Sequence, residues 1–464
     1  MTSNPTFFQQ KVSPYNPFRA PASPVLSEQN QLSQHHFDQL IRAIRHVLPF
    51  LPSWSLHELQ CTCSQVEPIV RDFLWRRPQF QSHPTFDSLT LLQRFLKALP
   101  SLRQVTRQTI RDLQLTHIHE SLYERVPKTF FTDLIAYTPA ILTINLAHAS
   151  FFDFSHLPRT DIQPPVPWQF SRLTSLDVSH VAHMTDPLLL QLATALPQLC
   201  LIRLDGTQVD HGVGQLAYHC DHLHSLSLKN TPLTDEALVA IAKFRKIHLT
   251  ELDLAGCGKI TEAGLTMLAR YCSHLSWFGV ASSPISLATL QRWDHRFWKY
   301  LDIAYCSQLH QDIRLSPPSP TSQAKGMTLY QLIMDAPQLQ HLGLSIPVLH
   351  YLLAAFQRQS QPSKSRISRL ILHELPEHTP LALVEDILSL FPRLSYLKLV
   401  RGYYESDFLH GTYTSSTRPI QDLARPDITD HTLQAYKPAR ANEPLTLLLE
   451  NQRELVLGTS MQYW

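Results

Sequence analysis

The run His219–Cys220–Asp221–His222–Leu223–His224 gathers three imidazoles, a thiol and a carboxylate in one short stretch. These are the side chains that hold zinc, and a zinc site needs them to converge on one point. Here they straddle the end of a helical pattern and the start of a strand, so they should point in different directions. Other chemistry is equally sparse. Gly212-x-Gly214 lacks the third glycine of a nucleotide-binding turn, and Cys61-x-Cys63 stands without a second pair. No G-x-S-x-G or H-E-x-x-H occurs. The expectation is a chain with no catalytic residue, no metal and no cofactor.

What positions these residues is a repeat. From Leu249 the chain reads L-x-x-L-x-L (Leu249, Leu252, Leu254). A turn follows at Gly256–Gly258, then Ile260–Thr261–Glu262, then a helical stretch with Leu265, Leu268 and Ala269. The same phase starts at Leu173, Leu199, Leu223, Leu249, Leu275 and Trp298, at separations of 26, 24, 26, 26 and 23 residues. Met184–Thr185–Asp186 and Leu233–Thr234–Asp235 parallel the Ile260 triplet; a Thr or Asp there can cap a helix N-terminus. Weaker copies begin at Ile110, Ile141, Leu339, Ile367, Leu394 and Leu445. A unit of this kind cannot bury its apolar edge alone and must stack on its neighbours. The pattern predicts an α/β fold: a leucine-rich-repeat solenoid of roughly eleven or twelve repeats, a horseshoe with parallel strands on its concave face.

Composition agrees. A net charge of +2 with no dense Lys/Arg run argues against a nucleic-acid partner, and 44% hydrophobic residues suffice for a folded chain. Four of the seven cysteines are placed by repeat phase. Cys220 and Cys272 stand three residues before a strand-opening Leu, and Cys257 and Cys306 three residues after Leu254 and Ile303. They read as buried thiols in a reducing compartment, cytoplasm or nucleus. The opening sequence lacks the apolar core of a secretory signal. Leu134–Phe152 carries no Asp, Glu, Lys or Arg, but it contains Pro139, Asn145 and His148 and a repeat strand, so no membrane association is expected. Residues 1–34, rich in Pro, Ser, Asn and Gln, read as disordered. The solenoid is expected over 81–464, with loop insertions near 310–327 and 402–426.

Residues 35–80 form a separate helical module by pattern. Leu40, Ile41, Ile44, Val47 and Leu48 share one helical face, Pro49–Phe50–Leu51–Pro52 breaks it, and Leu56, Leu59 and Cys63 and then Ile69, Phe73, Leu74 and Trp75 follow. This segment resembles an F-box. Cys63–Ser64 and Leu74–Trp75–Arg76 match the family's C-S pair and late L-W-R, and Ile44–Leu51 corresponds loosely to its I-x-x-x-x-F-L-P stretch. His36–Phe37–Asp38–Gln39 stands where the family usually opens with Leu-Pro and an acid. The Leu249 copy also resembles the cysteine-containing leucine-rich repeats common in F-box proteins, with Glu262 in the Asp place.

The resemblance implies a non-catalytic, substrate-recognition adaptor of a Skp–cullin–F-box ubiquitin ligase, its helices docking on the Skp-family linker of a cullin–RING ligase. Leu40, Ile44, Leu48, Leu51, Leu59 and Trp75 are the expected linker-binding anchors; they could equally form the module's own core. The alternative is a stand-alone repeat scaffold or inhibitor that binds a regulatory protein. Strand alternation turns the residues between the core leucines outward. Asp177, Asp205, Glu251, Asp253, Trp277, Tyr300 and Asp302 are the expected contacts to a protein substrate, with Arg203, Lys229, His341, Arg369, His373, Tyr396 and Lys398 on the same face. The centre is acidic, which favours a basic element on the partner.

Overall fold

The computed structural model describes residues 39–48, 51, 53–62, 64, 66–78, 80, 87–116, 134, 137–148, 172–181, 183–245, 249–315, 327–358, 365–373, 381–399 and 446–449. The expected tail (1–34), the insertion near 402–426 and Cys63 of the C-S pair lie outside them. So does 316–326 of the insertion near 310–327, whose beginning is the end of a helix, Ser307–Leu315. The chain divides into two compact units, Met1–Trp75 and Arg76–Trp464.

In the first unit, helices at residues 39–47, Ser53–Gln60 and Glu67–Arg76 surround a core of Leu48, Leu56, Val66 and Val70. Ile41, Ile44, Leu51, Leu59, Ile69, Phe73 and Leu74 pack against that core and stay partly exposed.

The second unit is a twelve-stranded, all-parallel sheet whose spatial order is the chain order. Its strands are β1 (Asp112–Gln114), β2 (Thr143–Asn145), β3 (Ser175–Asp177), β4 (Leu201–Arg203), β5 (Ser225–Ser227) and β6 (Glu251–Asp253). They continue as β7 (Trp277–Gly279), β8 (Tyr300–Asp302), β9 (His341–Ser345), β10 (Arg369–His373), β11 (Tyr396–Leu399) and β12 (Thr446–Leu449). Most are three residues long, because one apolar residue per strand points inward and a turn follows at once. Leu176, Ile202, Leu226, Leu252, Phe278 and Leu301 are that residue in β3–β8; they stack in register and are at most 2% exposed. Truncating one, as in Leu252→Ala, would cost about 2–5 kcal/mol.

After each of β2–β8 the chain turns through one residue with positive φ: His148, His180, Gly206, Asn230, Gly256, Ser282 and Tyr305. Glycine occupies the place where the preceding repeat needs the room. A Cβ on Gly206 would lie 2.3 Å from the His180 ring. His148, His180, Asn230 and Ser282 accept the left-handed backbone and their amides reach across the ladder, as His180 N–H does to the Asp205 carbonyl at 2.6 Å.

Helices return the chain behind the sheet, over Asp186–Ala195, Gly212–His219, Asp235–Arg245 and Glu262–Tyr271. Triplets of an apolar residue, Thr and an acid open three of them and also tie repeat to repeat. The Asp235 carboxylate accepts Thr261 N–H at 2.8 Å and its hydroxyl at 2.5 Å, and Glu262 accepts Ser286 N–H at 2.9 Å. His211 stands where these repeats carry an acid, and there Asp210, one residue earlier, accepts Thr234 N–H at 2.9 Å and its hydroxyl at 2.8 Å. Between β7 and β8 only a four-residue helix, Leu287–Leu290, and a short 3-10 turn, His295–Phe297, fit. Trp293 and Trp298, both fully buried, fill the space; Trp293 packs on Phe278 and donates its indole N–H to the Cys272 carbonyl at 2.9 Å.

Candidate binding face

The outer face of the sheet, away from the helices, is built from three rows in register. The first crosses β5–β11 as Ser225, Glu251, Trp277, Tyr300, His341, Arg369 and Tyr396. The second crosses the same strands as Ser227, Asp253, Gly279, Asp302, Gly343, Ile371 and Lys398. The third, just past the strands, includes Asp205 and Lys229.

Second-row carboxylates work inside the fold. Each sits two residues before an amide left open by the end of its strand, and it turns back to accept from that amide. Asp177 accepts Ser179 N–H at 3.1 Å and its hydroxyl at 2.7 Å, Asp253 accepts Ala255 N–H at 3.2 Å, and Asp302 accepts Ala304 N–H at 3.1 Å. Asn145 does the same to Ala147 at 2.9 Å. In β5 this place is Ser227, which is too short, and Asp205 of the preceding repeat takes over. It accepts Lys229 N–H at 2.9 Å and the Ser227 hydroxyl at 2.6 Å. Asp253 and Asp302 also lean over the next strand, where glycine makes room. A Cβ on Gly279 would lie 2.5 Å from Asp253 Oδ1, and one on Gly343 2.4 Å from Asp302 Oδ1.

This corrects the expectation of a free acidic strip. Asp253 is 6% exposed and holds Lys229 Nζ at 2.9 Å. Burial acts to lower the Lys229 pKa, but Asp253, Asp205 and Asp302 outweigh it, and the ammonium is held above its ordinary range. Burial raises Asp205 and Asp302; Ser227 and Lys229 offset part of the shift in the first, His373 part of it in the second. Asp177 lies 3.9 Å from Arg203. Glu251 differs from all of these. It stands two residues earlier in its strand than Asp253, is partly exposed, and its carboxylate has no hydrogen bond or ion pair among the described residues.

The first row carries the aromatics. Trp277 and Tyr300 stack face to face, centroids 4.0 Å apart and planes 5° from parallel. Tyr300, expected as an exposed contact, is only 9% exposed because Trp277 covers it, and its hydroxyl donates to Asp302 at 3.4 Å. His341 lies edge-on to both rings, at 5.9 and 6.5 Å, and burial and Arg369 lower its pKa. Arg369 lies over the Tyr396 ring, 5.6 Å from its centre. His373, expected on this face, is buried beside Tyr305. The aromatic stack joins residues 23 positions apart in sequence, and only the repeat phase could reveal it.

The expected linker anchors are divided. Leu40 is 53% exposed. Ile44, Leu51 and Leu59 pack on the core and Trp75 is partly buried. Leu48 is corrected: at 2% exposure it belongs to the core with Leu56, Val66 and Val70, because its turn of helix faces inward. Val47, 48% exposed, was not among the anchors and shares the open surface with Leu40 in kind.

Around the histidine cluster, the helix ends at His219 and β5 begins at Ser225. Cys220 is buried against the Ala193 and Leu196 carbonyls, while His222 and His224 are exposed. Among the described residues no three or more His, Cys, Asp or Glu side chains gather for a metal. Six described cysteines are free thiols. Burial pushes the Cys257 thiol up to about 11 and those of Cys272 and Cys306 up to about 12. Among the described residues no helix is long and apolar enough to cross a membrane.

A single open parallel sheet, one short strand per repeat and a helical return behind it define an α/β leucine-rich-repeat solenoid. A family model described as Leucine Rich repeat matches residues 219–242 and 245–269. Among solved structures it is similar to a chain of the Rad7 and Elc1 complex in yeast, with TM-score 0.40 and 12% identity, covering 81% of this chain and 92% of that one. It is also similar to a chain of the TLR13–ssRNA13 complex, with TM-score 0.28 and 13% identity, covering 68% of this chain and 36% of that one.

Proposed function

We propose that this protein is a substrate-recognition adaptor of a Skp–cullin–F-box ubiquitin ligase, working in the cytoplasm or nucleus. The observation that carries the reading is the division of the chain into a small helical unit and a separate repeat unit, each with its own surface. The helical unit leaves Leu40 and Val47 open to solvent, the kind of apolar side chains that helix docking uses. Its sequence resembles an F-box at Ser64 and at Leu74–Trp75–Arg76. The repeat unit offers a row of aromatic and charged side chains on the outer face of its sheet, suited to holding a protein substrate. Rate enhancement would come from proximity: the scaffold holds a substrate lysine within reach of a conjugating enzyme bound elsewhere in the complex. No cofactor is required for that role. The free buried thiols support a reducing compartment.

The test is co-purification of the full chain with the Skp-family linker, beside the double variant Leu40→Asp, Val47→Asp. Both positions are exposed, so the variant should keep its fold. Leu48→Asp would place a charge in the core and report folding instead. Stoichiometric binding that the double variant loses supports the adaptor. A folded wild-type chain that binds no linker rejects it. The inward placement of Leu48 favours a second reading, a scaffold or inhibitor that binds a regulatory protein and uses these helices only structurally.

A further inference from the structure

Arg369 stands on the outer face of β10, and its guanidinium makes no ion pair or hydrogen bond among the described residues. It lies over the Tyr396 ring of the next strand, 5.6 Å from the ring centre. A ring contact of this kind holds the guanidinium in place but gives its N–H donors no lone pair to bind.

The setting is basic. Across β9, β10 and β11 the outer-face rows read His341, Arg369, Tyr396 and Gly343, Ile371, Lys398, and no carboxylate stands among them. Arg366 and Arg393 are exposed at the entry edge of β10 and β11, three residues before Arg369 and Tyr396. Burial and Arg369 lower the His341 pKa, and no carboxylate raises it again. The acids of the neighbouring strands are in use or out of reach. Asp302 is closed on Ala304 N–H, and Asp253 holds Lys229. Glu251, in β6, is four strands from β10, roughly 19 Å at the ordinary strand spacing and beyond a screening length of about 8 Å.

An arginine with no counter-charge, near a second cation and no acid, selects a carboxylate. The spacing suits more than one. Arg369 and Lys398 sit on adjacent strands, two residues out of register, so their Cα atoms are roughly 8 Å apart. In an extended chain, alternate side chains recur on one face at about 6.7 Å, within reach of both long cationic side chains. A polyanion such as nucleic acid would run on to the strands before β9, where Asp205, Glu251, Asp253 and Asp302 outnumber Lys229.

We propose that the outer face of β9–β11 is the docking site for an acidic segment of the partner protein, whose carboxylates pair with Arg369 and Lys398. This rests on the reading that the repeat face holds the substrate, and it specifies that substrate as one presenting acidic residues at alternate positions of an extended stretch.

The test is fluorescence anisotropy with the full chain and a fluorescein-labelled peptide, Gly-Ser-Glu-Gly-Glu-Gly-Glu-Ser-Gly-amide, beside its glutamine counterpart. The glutamate peptide should bind saturably and the glutamine peptide about tenfold more weakly. Arg369→Gln should weaken the glutamate peptide about tenfold. Arg369→Lys, which keeps the charge and loses the bidentate edge, should weaken it about threefold, as should Lys398→Gln. Glu251→Gln, four strands away, should leave it unchanged. Circular dichroism checks the fold of each variant; should Arg369→Gln lose its signal, Arg369→Lys and Lys398→Gln carry the comparison. No saturable binding, equal binding of the glutamine peptide, or unchanged affinity in the Arg369 and Lys398 variants overturns the proposal. So does a thymidine oligonucleotide of the same charge that displaces the peptide at equal or lower concentration. Linker binding without peptide binding defeats this inference alone. Peptide binding without linker binding supports the acidic-segment site and rejects the ligase reading.

Discussion

Removing the Asp235 carboxylate tests whether the repeats are bound to one another by their helix caps. Asp235 opens one helix and accepts two hydrogen bonds from Thr261, the N-cap of the next. Thr261 in turn caps its own helix by accepting Ala263 N–H at 3.2 Å. Hydrogen bonds to a charged group contribute about 1.5–3 kcal/mol each when water is excluded. Thr261 is exposed, so water replaces part of each bond, and Asp235→Ala is expected to cost about 1–2 kcal/mol in all. The assay is urea unfolding followed by circular dichroism, as a double-mutant cycle with Thr261→Val. Valine removes the hydroxyl, keeps the backbone N–H, and carries its own loss of cap, which the cycle subtracts. The coupling should be about 0.5–1 kcal/mol. Glu236→Ala is the control: it removes a carboxylate from the same first turn, where the side chain is exposed and outside the ladder, and so isolates the interaction with the helix dipole. If Glu236→Ala costs as much as Asp235→Ala, or the coupling is below about 0.3 kcal/mol, the ladder is not what joins these repeats.

Gly279→Ala places a methyl 2.5 Å from Asp253 Oδ1, while Gly258 has open space around it. The first substitution should lower stability by about 1–3 kcal/mol and the second should not, as read from urea midpoints. Asp302→Asn keeps an acceptor for Ala304 N–H and removes a carboxylate that burial has raised above its ordinary range. Ionising that group costs more in the fold than in the unfolded chain. The Asn variant should therefore be at least as stable at neutral pH, the difference closing as pH falls through the raised pKa; a marked loss at neutral pH would show that the charge is needed. Among the described cysteines, a thiol reagent at neutral pH should reach Cys61 and Cys200 and leave Cys220, Cys257, Cys272 and Cys306 until the chain is denatured. The native state holds the Cys272 proton up to about 12 against an ordinary 9.0, so stability should decline as pH rises through that window, and less steeply in Cys272→Ala.

The strand-centre residues Leu176 to Leu301 were legible in the sequence because a short strand with one buried face requires an apolar residue at each repeat start. Thr261 was legible as a cap, since residue type and position suffice for that. That Asp235 serves the neighbouring helix was not, because hydrogen bonds between repeats have no short-range signal. Strand alternation placed Asp253 and Asp302 on the outer face, and their Cα atoms are there. It could not say that their carboxylates fold back onto open amides, nor that Gly279 and Gly343 leave space for them. In the helical unit, periodicity grouped Leu40, Val47 and Leu48 on one face. A small module must spend some of that face on its own core, and only packing decides that Leu48 is spent and Val47 is not.

The position of a carboxylate within its strand, more than its charge, decides here whether the fold uses it. Asp177, Asp253 and Asp302 sit two residues before an amide that ends the ladder, and a short acidic side chain at that distance closes on it. Where β5 offers Ser227 instead, an acid from the preceding repeat is recruited, so the requirement belongs to the amide and not to the residue beside it. Glu251 is two residues earlier, at the start of β6, where its own backbone is engaged with β5 and no open amide lies at that spacing. Its longer side chain has nothing to close upon. A carboxylate at the strand start costs the fold little to keep and contributes little to it. By the same reasoning Glu251→Gln should leave the urea midpoint unchanged, whereas Asp253→Asn should lower it by breaking the 2.9 Å pair with Lys229. Equal losses from the two substitutions would remove the distinction.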